Sequence, residues 1–192
     1  IKSLQDFQVY SEHRVSDLPQ EILDNALPTL WVERAKTDQV RMRLVCQGFY
    51  QTHLEKDDVY ASTPLLPTLK VLLAHALQRG YERKFLDVST AFLHADLNED
   101  VYVIPPKEIY KDRDVLWKLK KAMYGLRSAP KTWQDHFSKV MGELRFQRLK
   151  SEPNVYVNQD ENIIVLSYVD DLLVIGPKQS CDDFYKKVSD HL

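Results

Sequence analysis

Apolar residues recur along this chain in two rhythms, and each change of rhythm marks an element. Leu69, Leu72, Leu73, Ala76 and Leu77 repeat at helical spacing after Ser62-Thr63-Pro64 and stop at Gly80, which predicts a core helix. A second stripe, Trp133, Phe137, Val140, Met141 and Leu144, predicts a helix from Ala129, with Pro130 suited to its first turn and Lys131, Gln134, Lys139 and Arg145 on its polar side. Elsewhere the period is two. Leu30–Lys36 and Arg41–Tyr50 read as an extended pair around a Thr37-Asp38-Gln39 turn, a small β-ribbon carrying arginines. Arg83–Val88 reads as a strand in which Phe85 and Asp87 share one face and Leu86 and Val88 the other, so Asp87 stands at a strand end. Val101–Ile104, closed by Pro105-Pro106, and Val115–Leu119 are short strands. The last third carries Asn154–Asn158, then two strongly apolar runs within Ile163–Ile175 flanking Tyr168-Val169-Asp170-Asp171, then a helix from about Gln179. Residues up to about Asn25 give no clear signal. This order predicts an α+β fold of the split βαβ, ferredoxin-like kind, an antiparallel sheet with helices packed on one face.

Composition adds bounds. With 192 residues, 44% hydrophobic and 28% charged, the chain has material for one buried domain, or one domain and a small subdomain. No apolar run approaches the roughly 20 residues that cross a bilayer, and Ile1–Asp17 is polar, so the expectation is an intracellular protein with no membrane partner. Cys46 and Cys181 lie far apart with no companion ligand motif and are expected to be free thiols. The formal net charge of −2 argues against a polyanion partner. Between Lys107 and Lys150, however, twelve lysines and arginines face five acids, a stretch that suits either a polyanion or a plain solvated surface.

The acids carry the candidate chemistry. Two adjacent aspartates at the tip of an apolar hairpin repel each other, and burial opposes their ionisation. An Asp-Asp turn by itself is more often structural, because Asp tolerates unusual backbone angles. Asp87 changes that weighting: a third carboxylate at a neighbouring strand end could complete an oxygen-only nest suited to Mg²⁺. Two such ions can clamp an in-line phosphoryl displacement.

The motifs then become specific. Leu86-Asp87-Val88-Ser89-Thr90-Ala91-Phe92-Leu93-His94-Ala95-Asp96-Leu97 resembles the first catalytic-aspartate motif of the reverse transcriptases of copia-type long-terminal-repeat retrotransposons. Tyr168-Val169-Asp170-Asp171-Leu172-Leu173 resembles their second. Between them, Lys121-Ala122-Met123-Tyr124-Gly125-Leu126-Arg127-Ser128-Ala129-Pro130-Lys131-Thr132-Trp133 is similar to the family's Tyr-Gly-Leu…Ala-Pro…Trp element, and Trp31-Val32 with Arg41–Phe49 and Gln51 is similar to its fingers ribbon. Four motifs in order span Trp31 to Pro177. Cys46 departs from the family pattern, and the segment before Trp31 carries no recognised motif of it.

The resemblance implies a polymerase palm at about 67–192 and a small β-rich fingers subdomain at about 28–66, with 1–27 unassigned. It implies template-directed DNA synthesis with two Mg²⁺ ions, Mn²⁺ being a substitute, held by Asp87, Asp170, Asp171 and the Val88 carbonyl. Arg41 and Arg43, of one strand parity, would meet the triphosphate; the sequence does not choose between them. Phe92, five residues after Asp87, would exclude ribonucleotides, and Tyr124 and Gly125 would line the dNTP site, Gly125 allowing close approach. Arg127, Lys131, Gln134, Tyr168 and Val169 are the candidates for contact with an RNA or DNA template and its primer. In related polymerases the residue before the two aspartates is strained, and a β-branched Val169 should add to that, so an unusual backbone angle is expected there. The resemblance further implies other Pol segments (RNase H, integrase) in a full polyprotein, with no thumb or RNase H visible in this chain. It implies a location in cytoplasmic virus-like particles and the nucleus. The rival reading is a decayed or host-adopted copy that binds nucleic acid or protein without catalysis.

Overall fold

The structure is a computed structural model that describes residues 1–36, 39–51, 54–110 and 114–192. In chain order the elements begin with α1 (Lys2–Asp6), β1 (Tyr10–Arg14), α2 (Gln20–Asn25), β2 (Leu27–Lys36) and β3 (Gln39–Cys46). There follow α3 (Lys56–Val59), α4 (Leu66–Arg79), β4 (Glu82–Asp87), β5 (Tyr102–Ile104), β6 (Val115–Leu119) and α5 (Ala129–Glu143). The chain closes with β7 (Gln147–Arg148), β8 (Val155–Asn158), β9 (Ile163–Tyr168), β10 (Asp171–Gly176) and α6 (Lys178–Ser189). It forms two compact units, Ile1–Tyr60 with Phe92–Thr132, and Ala61–Ala91 with Trp133–Leu192.

The first unit is built on a sheet of order β1-β6-β5-β2-β3. The N-terminal stretch, silent in the sequence, supplies β1, paired antiparallel with β6 so that Tyr10 lies opposite Leu119. Tyr10 stacks on the fully buried Trp117 with ring centroids 3.9 Å apart, which ties that edge into the core. The predicted ribbon is present as β2 and β3, in register from Thr29 opposite Cys46 to Lys36 opposite Gln39. Its expected turn lies outside the described residues at Thr37 and Asp38. The second strand stops at Cys46, earlier than predicted, because Gly48–Tyr50 turns into a 3₁₀ helix.

The second unit is an antiparallel sheet of order β4-β10-β9-β8-β7. Its helices lie on both faces, a correction to the expected single face. Leu173 lies opposite Leu166, and Leu166 opposite Val155; these three cluster with Ala76 of α4. The alternate row, Tyr156, Val165 and Val174, faces the other way, where Phe137 of α5 meets Tyr156 edge-on at 5.4 Å and Asp182 of α6 pairs with Lys84 of β4. Strands that are apolar on both faces, as β9 and β10 are, need cover on both.

Helix α4 carries Pro67 in its first turn and ends at Gly80, whose φ of 65° lets its N–H and that of Tyr81 satisfy the Leu77 and Ala76 carbonyls. Its stripe is only partly a core stripe: Ala76 is buried, but Leu77 is 69% exposed. At the start of α4 the Glu152 carboxylate accepts from the Leu65 N–H and the Thr68 hydroxyl. Burial works to raise the Glu152 pKa, but these hydrogen bonds and those from Asn154 outweigh it and hold the carboxyl below its usual range.

Candidate active site

In the second unit, β4 and β10 pair so that Asp171 lies directly opposite Asp87 and Leu172 opposite Leu86. Cross-strand partners project from the same face, so Asp87 and Asp171 share the face of Leu173 and Phe85. Helix α4 does not cover that edge: Phe85 is 74% exposed. Asp171 also pairs with Tyr168, leaving Val169 and Asp170 as a two-residue hairpin turn. Val169 has φ 55° and Asp170 has no positive φ, the pattern of a type II′ turn, in which glycine is the usual first central residue. The unusual angle expected at Val169 is therefore present.

Two hydrogen bonds hold this turn. The Val88 N–H donates to the Asp170 carbonyl at 2.8 Å, and the Trp133 indole N–H donates to the Val169 carbonyl at 2.6 Å. A second β-branched residue, Thr90, has φ 56° in the loop after Asp87. Both acidic loops thus carry backbone strain at a residue type poorly suited to it, each costing roughly 1–3 kcal/mol.

Asp87 and Asp171 are exposed and Asp170 is half-buried. Backbone pairing brings the three residues together, yet among the described residues no three His, Cys, Asp or Glu side chains form a group that could hold a metal ion. Hairpin register fixes the Cα positions of these residues and leaves the directions of their carboxylates open. The donor set itself, all oxygen and open to water and phosphate, fits Mg²⁺ chemistry.

The first unit gathers a separate cluster. The Arg43 guanidinium lies over the Tyr124 ring at 5.1 Å, and Phe92 meets the same ring edge-on at 4.9 Å. The Arg41 side chain lies outside the described residues. Gly125, at φ +91°, packs so tightly that an added Cβ would stand 2.0 Å from the Cys46 carbonyl oxygen, and Gly48 donates to the Gly125 carbonyl at 3.1 Å. The close approach that this glycine permits is to protein backbone. Burial pushes the Cys46 thiol up to about 12, so it stays protonated, and both cysteines are free.

Of the residues assigned to nucleic acid, Arg127 donates from its backbone N–H and from its guanidinium to Gln51, each at 2.8 Å. Gln134 spends its amide on Ser62 and Asn154. Lys131 is half-buried, and Tyr168 and Val169 are exposed.

A family model described as reverse transcriptase (RNA-dependent DNA polymerase) matches residues 10–192. The chain belongs to this family. Among curated proteins, the chain is 31% identical over 187 residues to a retrovirus-related Pol polyprotein from transposon TNT 1-94 of Nicotiana tabacum, covering 91% of this chain and 14% of that protein. It is 33% identical over 144 residues to the Pol polyprotein from transposon RE1 of Arabidopsis thaliana, covering 72% of this chain and 10% of that one. It is 36% identical over 106 residues to a putative transposon Ty5-1 protein of Saccharomyces cerevisiae, covering 53% of this chain and 34% of the yeast protein. The plant and yeast relatives place the chain in the reverse transcriptase family of the copia-type retrotransposons. No helix among its described residues is long and apolar enough to cross a membrane.

Two features of the chain escaped the sequence reading. Trp133 enters the sequence analysis as part of an apolar stripe and of the Tyr-Gly-Leu…Ala-Pro…Trp element, without a role of its own; the signal was its indole N–H, which needs an acceptor once buried. Thr90 carried no signal, since nothing in its neighbourhood announces a left-handed residue.

Proposed function

We propose that this chain catalyses template-directed DNA synthesis, joining a dNTP to a primer 3′-hydroxyl, as the reverse transcriptase segment of a retrotransposon Pol polyprotein. The observation that carries the reading is the pairing of Asp171 with Asp87 across β4 and β10, with Asp170 in the adjoining turn, in a chain whose family is established. Asp87 and Asp170 would hold two Mg²⁺ ions, for which Mn²⁺ would substitute, with the Val88 carbonyl and, less centrally, Asp171 contributing to the set. Bound there, the ions would supply Lewis-acid activation of the hydroxyl and neutralise charge on the triphosphate. The chain's own part is positioning and electrostatics. Arg43, with Arg41 beside it on the same strand, meets the triphosphate; leaving the Tyr124 ring for phosphate oxygens exchanges a cation–π contact for charge-assisted hydrogen bonds. Phe92, braced edge-on by Tyr124, occupies the place of a ribose 2′-hydroxyl and excludes ribonucleotides. The unit carrying the acids serves as palm and the β2–β3 hairpin as fingers. Lys131, Tyr168 and Val169 contact an RNA or DNA template and its primer. Other Pol segments, RNase H and integrase, are the expected partners, with work in cytoplasmic particles and the nucleus.

The test is primer extension on RNA and DNA templates with dNTPs and Mg²⁺, by this chain alone and carried within a longer polyprotein, beside Asp170→Asn. Extension by the native chain and its loss by at least a thousandfold in the variant is expected, the order seen when a preorganised charge is removed from a phosphoryl-transfer site. Incorporation unaffected by the substitution would reject the assignment.

A further inference from the structure

The turn that carries Asp170 is clamped on both sides, and the two clamps come from different elements. The peptide before Asp170 ends in the Val169 carbonyl, which accepts the Trp133 indole N–H of α5 at 2.6 Å. The peptide after it begins with the Asp170 carbonyl, which accepts the Val88 N–H beyond β4 at 2.8 Å. Because each peptide is a rigid plane, fixing both carbonyls fixes the backbone angles of Asp170 and hence the direction of its Cα–Cβ bond. Unheld, a valine at φ 55° would relax toward a negative φ, and the peptide it carries would rotate away.

We propose that Trp133 is a positioning residue for Asp170, its indole N–H holding the Val169 carbonyl and so aiming the carboxylate. The proposal rests on the reading of Asp170 as a metal-holding residue. The indole is well placed to act as a fixed donor. Trp133 is 2% exposed, and its ring lies against His136 and Phe137 on its own helix, with centroids 5.9 and 5.6 Å away. Its N–H direction is therefore set by the packing of α5 rather than by the turn it serves. An apolar side chain of similar size would fill the same space, so the nitrogen itself needs an account, and the strained carbonyl supplies one.

The experiment uses the whole 192-residue chain and three variants: W133F, V169G and the pair together. Phenylalanine keeps an aromatic ring in the core and removes the donor; glycine removes the strain that makes the donor necessary. Mn²⁺ alone is titrated, and the backbone amide signals of Asp170 and Asp171 are followed by NMR. In W133F, Mn²⁺ affinity falls roughly tenfold, the usual scale for one lost hydrogen bond to a fixed group, and the Asp170 and Asp171 amides shift or broaden while Tyr156 does not. In the double variant, affinity recovers, because the effects of coupled sites do not add. Additive losses, or unchanged amide signals and Mn²⁺ affinity in W133F, would overturn the proposal and leave Trp133 a core residue. If glycine itself loosens the turn, Val169→Asn, which tolerates positive φ, takes its place. A native chain that neither binds Mn²⁺ nor extends a primer would sink the polymerase reading, and the amide signals alone would then decide the positioning role.

Discussion

Single residues in this protein are explained by backbone as often as by side chain. Gly125 and Gly142 make the contrast. Gly125 combines φ +91° with a Cβ position 2.0 Å from the Cys46 carbonyl oxygen, whereas a Cβ on Gly142 meets nothing within 4 Å. Gly125→Ala should therefore destabilise the chain by about 2 kcal/mol or more, since the backbone must move. Gly142→Ala, near the end of α5, should stabilise it by up to about 1 kcal/mol. Thermal unfolding of the two variants checks both signs; a neutral Gly125→Ala would show that the Cys46 contact is slack. Val169 was legible at this scale because the resemblance to polymerases that strain the residue before the two aspartates implied an unusual angle there, to which a β-branched side chain adds. Gly125 was legible as a position needing glycine, but not the cause, since Cys46 is far away in sequence.

At the scale of elements, rhythm predicted existence and type well and neighbours poorly. Helix α5 begins at Ala129 as expected, and the apolar runs around the acids are β9 and β10. What the rhythm does not contain is the clip between α4 and the loop before β8. Glu152 accepts from Leu65, Thr68 and Asn154, a carboxylate at a helix N-terminus, where the macrodipole also favours negative charge. Its folded pKa lies below the ordinary value, so its contribution is fully present above about pH 4.3 and is lost as pH falls through the lower folded pKa. Glu152→Gln should flatten the acid side of the stability profile and cost about 1–2 kcal/mol at neutral pH. Urea midpoints measured from pH 7 to pH 3 test this; parallel profiles for native and variant chains would remove Glu152 from the account.

For the whole molecule, the basic stretch from Lys107 to Lys150 is divided between the two units and is partly spent inside them. Lys118 pairs with Asp100 at 2.7 Å and Lys121 with Asp96 at 3.2 Å, while Arg127 binds Gln51 and Arg148 donates to the Pro153 carbonyl. These four are not simply available to phosphates. Binding of a duplex primer–template should weaken with salt, with a slope of log K against log salt well short of the roughly −11 that twelve free cations would give. Fluorescence anisotropy between 50 and 200 mM salt reads that slope; a value near the full count would mean that the internal pairs open on binding. The two-sided sheet belongs to this scale too. Ile163-Ile164-Val165-Leu166 and Leu172–Ile175 are apolar at every position, a pattern that needs cover on both faces and that the expectation of helices on one face left out of account.

By itself the sequence determined the α+β class, the main helices and strands and the family, and singled out the three aspartates as candidates, because periodicity and ordered motifs are local and survive reading along one line. The tertiary structure decided what those residues meet. Antiparallel register set Asp171 opposite Asp87, and packing of α5 brought the Trp133 indole to the Val169 carbonyl. Such pairings depend on strand register and helix placement, which arise from the simultaneous burial of residues far apart in the chain. No local pattern specifies them.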